Sequence, residues 1–206
     1  MGARSFAIVP AAGQSTRMGR PKLLLPVAGR TLIEQTLAAW QRSRVDRVIV
    51  VVRPGDAALA EVVQAAGVDL VVPAAPPADM KASLACALAY IAERFATADG
   101  DAWLVAPADM PHLSSEIINA LLDRAAAGPG RVYLPTLASR RGHPVLLPWR
   151  LAGEVGRLGA GEGLGNLIQR QNAELVPCDN ISQAGTNPFA DVDTPEDYRD
   201  LKRGLR

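Results

Sequence analysis

The stretch Pro10-Ala11-Ala12-Gly13-Gln14-Ser15-Thr16-Arg17-Met18-Gly19-Arg20-Pro21-Lys22 follows directly on a short apolar run, Phe6 to Val9. Small residues at Ala11, Ala12 and Gly13 let a ligand approach the backbone. Glycine also permits the positive φ angles that turn successive N–H groups toward an anion. Arg17 can hold a phosphate in bidentate fashion, and Lys22 adds a second cation. The combination describes a triphosphate cradle with Arg17 and Lys22 as candidate catalytic charges. It is not a Walker loop, because no Lys-Ser/Thr pair follows, and the dinucleotide fingerprint G-x-G-x-x-G is absent. The plainer alternative is a surface turn with solvated cations.

Two acidic stretches add to this. In Pro107-Ala108-Asp109-Met110-Pro111 one carboxylate stands between stiffening prolines. Such a hard oxygen donor suits Mg²⁺, which takes one or two protein carboxylates and fills its other positions with phosphate and water. On the residues alone, a turn or cap aspartate is the alternative. Further on, Asp193-Thr194-Pro195-Glu196 has the pattern of a helix start: a cap, proline in the first turn, and an acid near the positive end of the helix dipole. Asp191 lies just before it. No nucleophile with a partnering base is evident, and neither His112 nor His143 has a carboxylate partner in sequence. Trp40, Met80 and Cys86 read as core rather than catalytic.

The elements that must position these residues alternate. Apolar runs at 6–10, 47–52, 69–72 and 102–106 predict strands, and helical spacing predicts helices at 31–41, 56–66, 81–95 and 114–127. This order predicts an α/β chain: a three-layer α/β/α, Rossmann-like fold with a mostly parallel sheet and right-handed crossovers. Ligands in such sheets bind beyond the carboxyl ends of the strands, where the Gly13 and Asp109 stretches fall. After residue 130 the pattern loosens. Strands are expected at 131–135 and 143–147 around a polar turn at 138–142. A glycine-rich loop at 159–165, a last strand at 174–177 and a helix at 195–203 follow. Residues 1–206 read as one domain, with a weakly defined lobe at about 131–185.

Composition narrows the class. The 206 residues carry 22 basic and 21 acidic side chains, a net charge of +1, which argues against a coat for nucleic acid or an anionic membrane. Aromatic content of 4% argues against a stacking platform for single strands. Cys86 and Cys178 are too far apart for a zinc motif and read as reduced thiols. No apolar stretch approaches the ~20 residues of a membrane helix. The expectation is a soluble, cytoplasmic protein with no nucleic-acid or membrane partner.

The loop resembles the signature of the small nucleotidyltransferases: Ala11, Ala12, Gly13, Ser15, Arg17, Met18, Gly19, Lys22 and Leu24-Leu25-Pro26 match A-(A/G)-G-x-S-x-R-M-G, a lysine, then Leu-Leu-Pro. The longer stretch from Arg20 to Ile33 is most similar to the molybdenum-cofactor (molybdopterin) cytidylyltransferases of the MobA-like NTP transferase family. The resemblance implies the nucleotide-diphospho-sugar transferase fold. It implies nucleotide binding by Ala11, Ala12, Gly13, Ser15, Arg17 and Lys22, and a Mg²⁺ site of Asp109 and Asp193. Met80 and Ser83 match a Met-x-x-Ser-Leu segment that recognises the base. Gly142-His143-Pro144 matches a Gly-x-Pro that places His143 near the acceptor's phosphate. Ala11-Ala12-Gly13 favours CTP, whereas guanylyl relatives read Ala-Gly-Gly. Ala108 and Met110 depart from the Gly-Asp-Gln-Pro of cytidylyl members. The implied reaction moves CMP from Mg-CTP to the phosphate of molybdopterin, releases pyrophosphate, and implies transient contact with a molybdoenzyme. The alternatives are nucleotidyl transfer to a sugar or polyol phosphate, GTP-dependent guanylyl transfer, and a nucleotide-binding regulatory protein on the same fold.

Overall fold

Residues 2–181 and 187–204 are described by a computed structural model. The apolar runs form strands β1 (Ser5–Pro10), β4 (Arg47–Val51), β5 (Asp69–Val71) and β6 (Ala102–Val105), and between β1 and β4 lies a small hairpin of β2 (Pro26–Val27) and β3 (Arg30–Thr31). Helices α1 (Leu32–Arg42), α2 (Ala57–Ala65), α3 (Met80–Arg94) and α4 (Ser115–Ala127) fall within a residue or two of the expected spans. Each begins where a side-chain acceptor meets an orphan N–H: Thr31 with Glu34 in a capping box, Asp56, Asp79 and Ser114. The remaining elements are β7 (Tyr133–Leu137), β8 (Arg140–Arg141), β9 (Val145–Pro148), α5 (Ala152–Val155), α6 (Leu164–Gln169), β10 (Glu174–Pro177) and α7 (Pro195–Gly204).

The eight-stranded sheet runs β10-β7-β9-β6-β1-β4-β5, with β8 beside β7. It is parallel except around β9, which is antiparallel to β6 and β7, and around β8. Side chains of the central strands alternate between two cores. Ala7, Val9, Val48, Val50 and Leu104 face α1, α2, α4 and α7, whereas Phe6, Ile8, Ile49, Val51, Trp103 and Val105 face α3, α5 and α6. Both faces of the sheet are therefore covered, and its strands read as continuous apolar runs.

The region after residue 130 differs in detail from expectation. Strand β7 ends at Leu137 rather than Pro135, because Ala138 and Ser139 close a two-residue turn with φ of 46° and 64°. Such turns usually carry Asn or Gly, so the sequence hides this one. Arg140 and Arg141, expected in a turn, pair with Leu137 and Thr136. Strand β9 starts at Val145 rather than His143, since Pro144 has no N–H for the ladder. Both cysteines are free thiols. No helix among the described residues is long and apolar enough to cross a membrane.

Candidate active site

The carboxyl ends of β1, β4, β5 and β6 lie along one edge of the sheet. Because β9 runs the other way, the segment leading into it meets the same edge, with Val145 opposite Val105. A cleft of about 640 Å³ sits there. Its walls are Pro10–Arg17, Lys22, Pro76–Met80, Ser83, Pro107–Asp109, Asp191 and Asp193, with Leu23 and Arg53 completing them.

The loop after β1 is built as a shelf. Ala11 donates its N–H to Val51 at 2.8 Å and is buried, so it extends the sheet and forms floor rather than donating to a ligand. Ala12 and Gly13 leave the sheet, and nothing lies within 4 Å of a Cβ placed on Gly13. Gly13 does not take the left-handed backbone that glycine permits; it is found at Ser15 and at Gly19, with φ of 53° and 65°. Between them a short 3-10 turn, Thr16–Met18, buries Met18 and leaves the Arg17 side chain exposed. Ser15 Oγ accepts from the Lys22 N–H at 3.3 Å, which closes the loop on itself.

Four charged side chains expected from the sequence meet here. Lys22 Nζ donates to Asp109 and, at 2.8 Å, to Asp193 Oδ1. Arg17 reaches Asp193 Oδ2 at 2.7 Å. Asp193 is carried by the start of α7: its N–H and that of Thr194 donate to Asp197 Oδ2 at 3.1 and 2.7 Å. Helix α7 is fastened in turn by Tyr198, whose hydroxyl donates to the Pro26 carbonyl at 2.6 Å. The hydrogen bond from Lys22 holds the Asp193 carboxyl below the usual range, although burial opposes it. Burial pushes Asp109 upward against Lys22. Burial also pulls on the Lys22 ammonium, but its two carboxylate partners outweigh this and hold it above the ordinary lysine value.

This donor set fits a hard divalent ion. Asp109 Oδ1 is buried and has no hydrogen-bond partner among the described residues. An acceptor left in that state is costly unless something else satisfies it. No group of three or more His, Cys, Asp or Glu suited to a metal occurs among the described residues. Two carboxylates with room for phosphate oxygens beside them is the arrangement Mg²⁺ or Mn²⁺ accepts.

The other expected residues are placed less uniformly. Met80 is half exposed on the cleft wall, which corrects its reading as core. Ser83 lines the cleft but is almost fully buried, with its hydroxyl donated to the Asp79 carbonyl at 3.3 Å as in an ordinary first turn. His143 does not line the cleft. Its Nδ1 lies 3.3 Å from the Val105 carbonyl, which can only accept, so that nitrogen carries the proton. Burial lowers its pKa and favours the neutral ring. Arg53 was not expected in the site. It follows β4 as Asp109 follows β6, and that position rule was the signal available.

Gly142, beside His143, is in close contact with Phe189. A Cβ at this position would lie 2.2 Å from the Phe189 ring, and Phe189 begins the stretch that carries Asp191 and Asp193. Gly142→Ala is expected to cost about 1–3 kcal/mol in chemical denaturation, the scale of overpacking, and to lower turnover by displacing those carboxylates. Unchanged stability would show that the ring yields freely.

The profile of the MobA-like NTP transferase domain matches residues 7–175. The chain is 33% identical over 196 residues to the 2-C-methyl-D-erythritol 4-phosphate cytidylyltransferase of Ralstonia nicotianae, covering 89% of this chain and 73% of that protein. Among solved structures it is similar to Rv0371c of Mycobacterium tuberculosis, at 27% identity and a TM-score of 0.78 over 98% of this chain and 99% of that one. A structure of Rv0371c in complex with manganese matches at 28% identity and a TM-score of 0.74, over the same shares of the two chains. The fold, the match over most of the sequence and the loop-bearing cleft agree: the chain is a nucleotidyltransferase of the MobA-like NTP transferase family.

Proposed function

We propose that the protein transfers a cytidylyl group from CTP to the phosphate of a small-molecule acceptor, with molybdopterin as that acceptor, and releases pyrophosphate. The observation that carries this reading is Lys22 held between Asp109 and Asp193 at the mouth of the Gly13 loop. In this reading the loop receives the triphosphate, and Arg17 and Lys22 balance its charge. Lys22 then exchanges carboxylate partners for phosphate oxygens, which frees Asp109 and Asp193. Those carboxylates would hold a divalent ion, Mg²⁺, which would supply neutralisation of the phosphate charges. The manganese complex of the relative Rv0371c supports a divalent metal.

An acceptor phosphate oxygen attacks the α-phosphorus, and the bond to the departing pyrophosphate breaks in line with it. No side chain becomes covalently attached. The protein's contribution is positioning and preorganised charge. The wall formed by Pro76–Met80 and Ser83, on the β5 side of Asp109, receives the base. The acceptor approaches from the β9 side, near His143.

A second reading, transfer to a polyol phosphate, is favoured by the Ralstonia relative, a 2-C-methyl-D-erythritol 4-phosphate cytidylyltransferase. Ala12 and that relative both support CTP as donor. Calorimetric titration with CTP, GTP, UTP and ATP, with and without Mg²⁺, tests the donor. Mg²⁺-dependent preference for CTP is expected, and preference for GTP would overturn the cytidylyl reading. Turnover of molybdopterin against methylerythritol phosphate then decides the acceptor. Under the molybdopterin reading, the product passes to a molybdoenzyme through a transient contact.

A further inference from the structure

Thr36 lies in the middle of α1, fully buried among Leu32, Ile33, Leu37 and Met110. In such surroundings a hydroxyl is a burden unless it is hydrogen-bonded, and valine has nearly the same shape without that requirement. The Thr36 Oγ1 has three carbonyls in reach. Leu32 O, at 3.3 Å, is the local partner open to any helical threonine. The other two are Ala108 O at 3.0 Å and Met110 O at 3.1 Å, which belong to a different element.

Those two carbonyls flank Asp109. Both lie within reach of one hydroxyl, which has a single proton to share between them. The Met110 carbonyl also accepts from the Leu113 N–H at 3.2 Å, whereas the carbonyl of Asp109 turns the other way and accepts from the Val192 N–H at 3.0 Å. The shared proton of Thr36, together with the Leu113 and Val192 N–H groups, restrains the backbone on either side of Asp109. Pro107 and Pro111 restrict φ at the two ends of the same turn. Val192 also stands between Asp191 and Asp193, so the turn gripped by Thr36 is the one on which the second carboxylate's segment rests.

We propose that Thr36 is a positioning residue for the metal-binding carboxylates. Its hydroxyl holds the 108–110 turn so that Asp109 and Asp193 keep the spacing at which one divalent ion meets both. This rests on the reading of those carboxylates as a metal site. Thr36 touches neither substrate nor metal and acts only through the Asp109 backbone.

The test uses the full chain and MnCl₂ alone, with free Mn²⁺ followed by electron paramagnetic resonance and thermal unfolding measured in parallel. Thr36→Val keeps the methyl group and removes the hydroxyl. Thr36→Ser does the reverse. If Thr36 positions the carboxylates, Thr36→Val weakens Mn²⁺ binding by about 10-fold or more, the usual scale for losing a group that orients metal ligands. Thr36→Ser then binds within about 2-fold of wild type under the same principle, although it unfolds at a lower temperature for want of the buried methyl. A purely structural role predicts the opposite, with affinity following unfolding temperature through both variants. Wild-type affinity in Thr36→Val overturns the proposal alone. Absence of Mn²⁺ binding by the wild-type protein overturns the metal reading and this proposal together. Should Thr36→Val fail to fold, Thr36→Ser against Thr36→Ala carries the same contrast, and equal affinity in that pair overturns the proposal.

Discussion

Asp109→Ala is expected to abolish pyrophosphate release, a loss of about 10³-fold or more, while the protein remains folded. The asymmetry between activity and stability follows from the site. Asp109 is largely buried and one of its oxygens has no partner, so the folded chain carries an uncompensated acceptor there. Removing it relieves that cost, and Lys22 keeps Asp193 as its counter-ion. Thermal unfolding of the variant is therefore expected to match or exceed that of the wild type, as happens when a site is built for function at some expense of stability. Assay of pyrophosphate release beside a melting curve checks both halves. Turnover at the wild-type rate would remove Asp109 from the metal site.

Lys22→Ala is expected to behave differently, because it damages both chemistry and fold. Turnover should fall by about 10²-fold or more, the scale for losing one preorganised charge-stabilising group. In the metal-free protein, the same change leaves Asp109 without its ammonium partner while Asp193 keeps the exposed Arg17. Breaking a partly buried ion pair by removing one member strands the other's charge, and a loss of about 1–3 kcal/mol is expected. Mn²⁺ should restore this stability in the variant more than it stabilises the wild type, since the ion replaces the missing ammonium. Equal turnover by variant and wild type would refute the cradle. Equal Mn²⁺ stabilisation would mean that Lys22 does not occupy the place of the metal.

Much of this arrangement was legible in the sequence, for identifiable reasons. The β1 and β4 runs are continuous and apolar because both faces of the sheet are covered. The helices announce themselves through Thr31, Asp56, Asp79 and Ser114. Arg17, Lys22 and Asp109 stood out because charged residues rarely follow buried strands or sit between prolines without cause, whereas Asp193 read as a helix start and entered the site only through the family resemblance. The hidden parts are long-range. Nothing local shows that Lys22 lies against carboxylates 87 and 171 positions away. Thr36 reads as one more residue on an apolar stripe. Arg53 is masked by a turn-like Arg-Pro-Gly-Asp, and the Ala138-Ser139 turn lacks the residues that usually mark one. The packing of Gly142 on Phe189 joins two regions that carry no shared pattern.

The tether from Tyr198 to Pro26 and the pairing of Asp193 with Lys22 each span more than 170 positions. A chain emerging from the ribosome presents its phosphate loop early and its second carboxylate late. Until residue 193 arrives and α7 docks on the hairpin, Lys22 has only Asp109 to meet, and a single carboxylate grips a divalent ion weakly. Under the proposed metal reading, nascent chains on polysomes therefore carry a nucleotide shelf without a working centre until synthesis has passed α7.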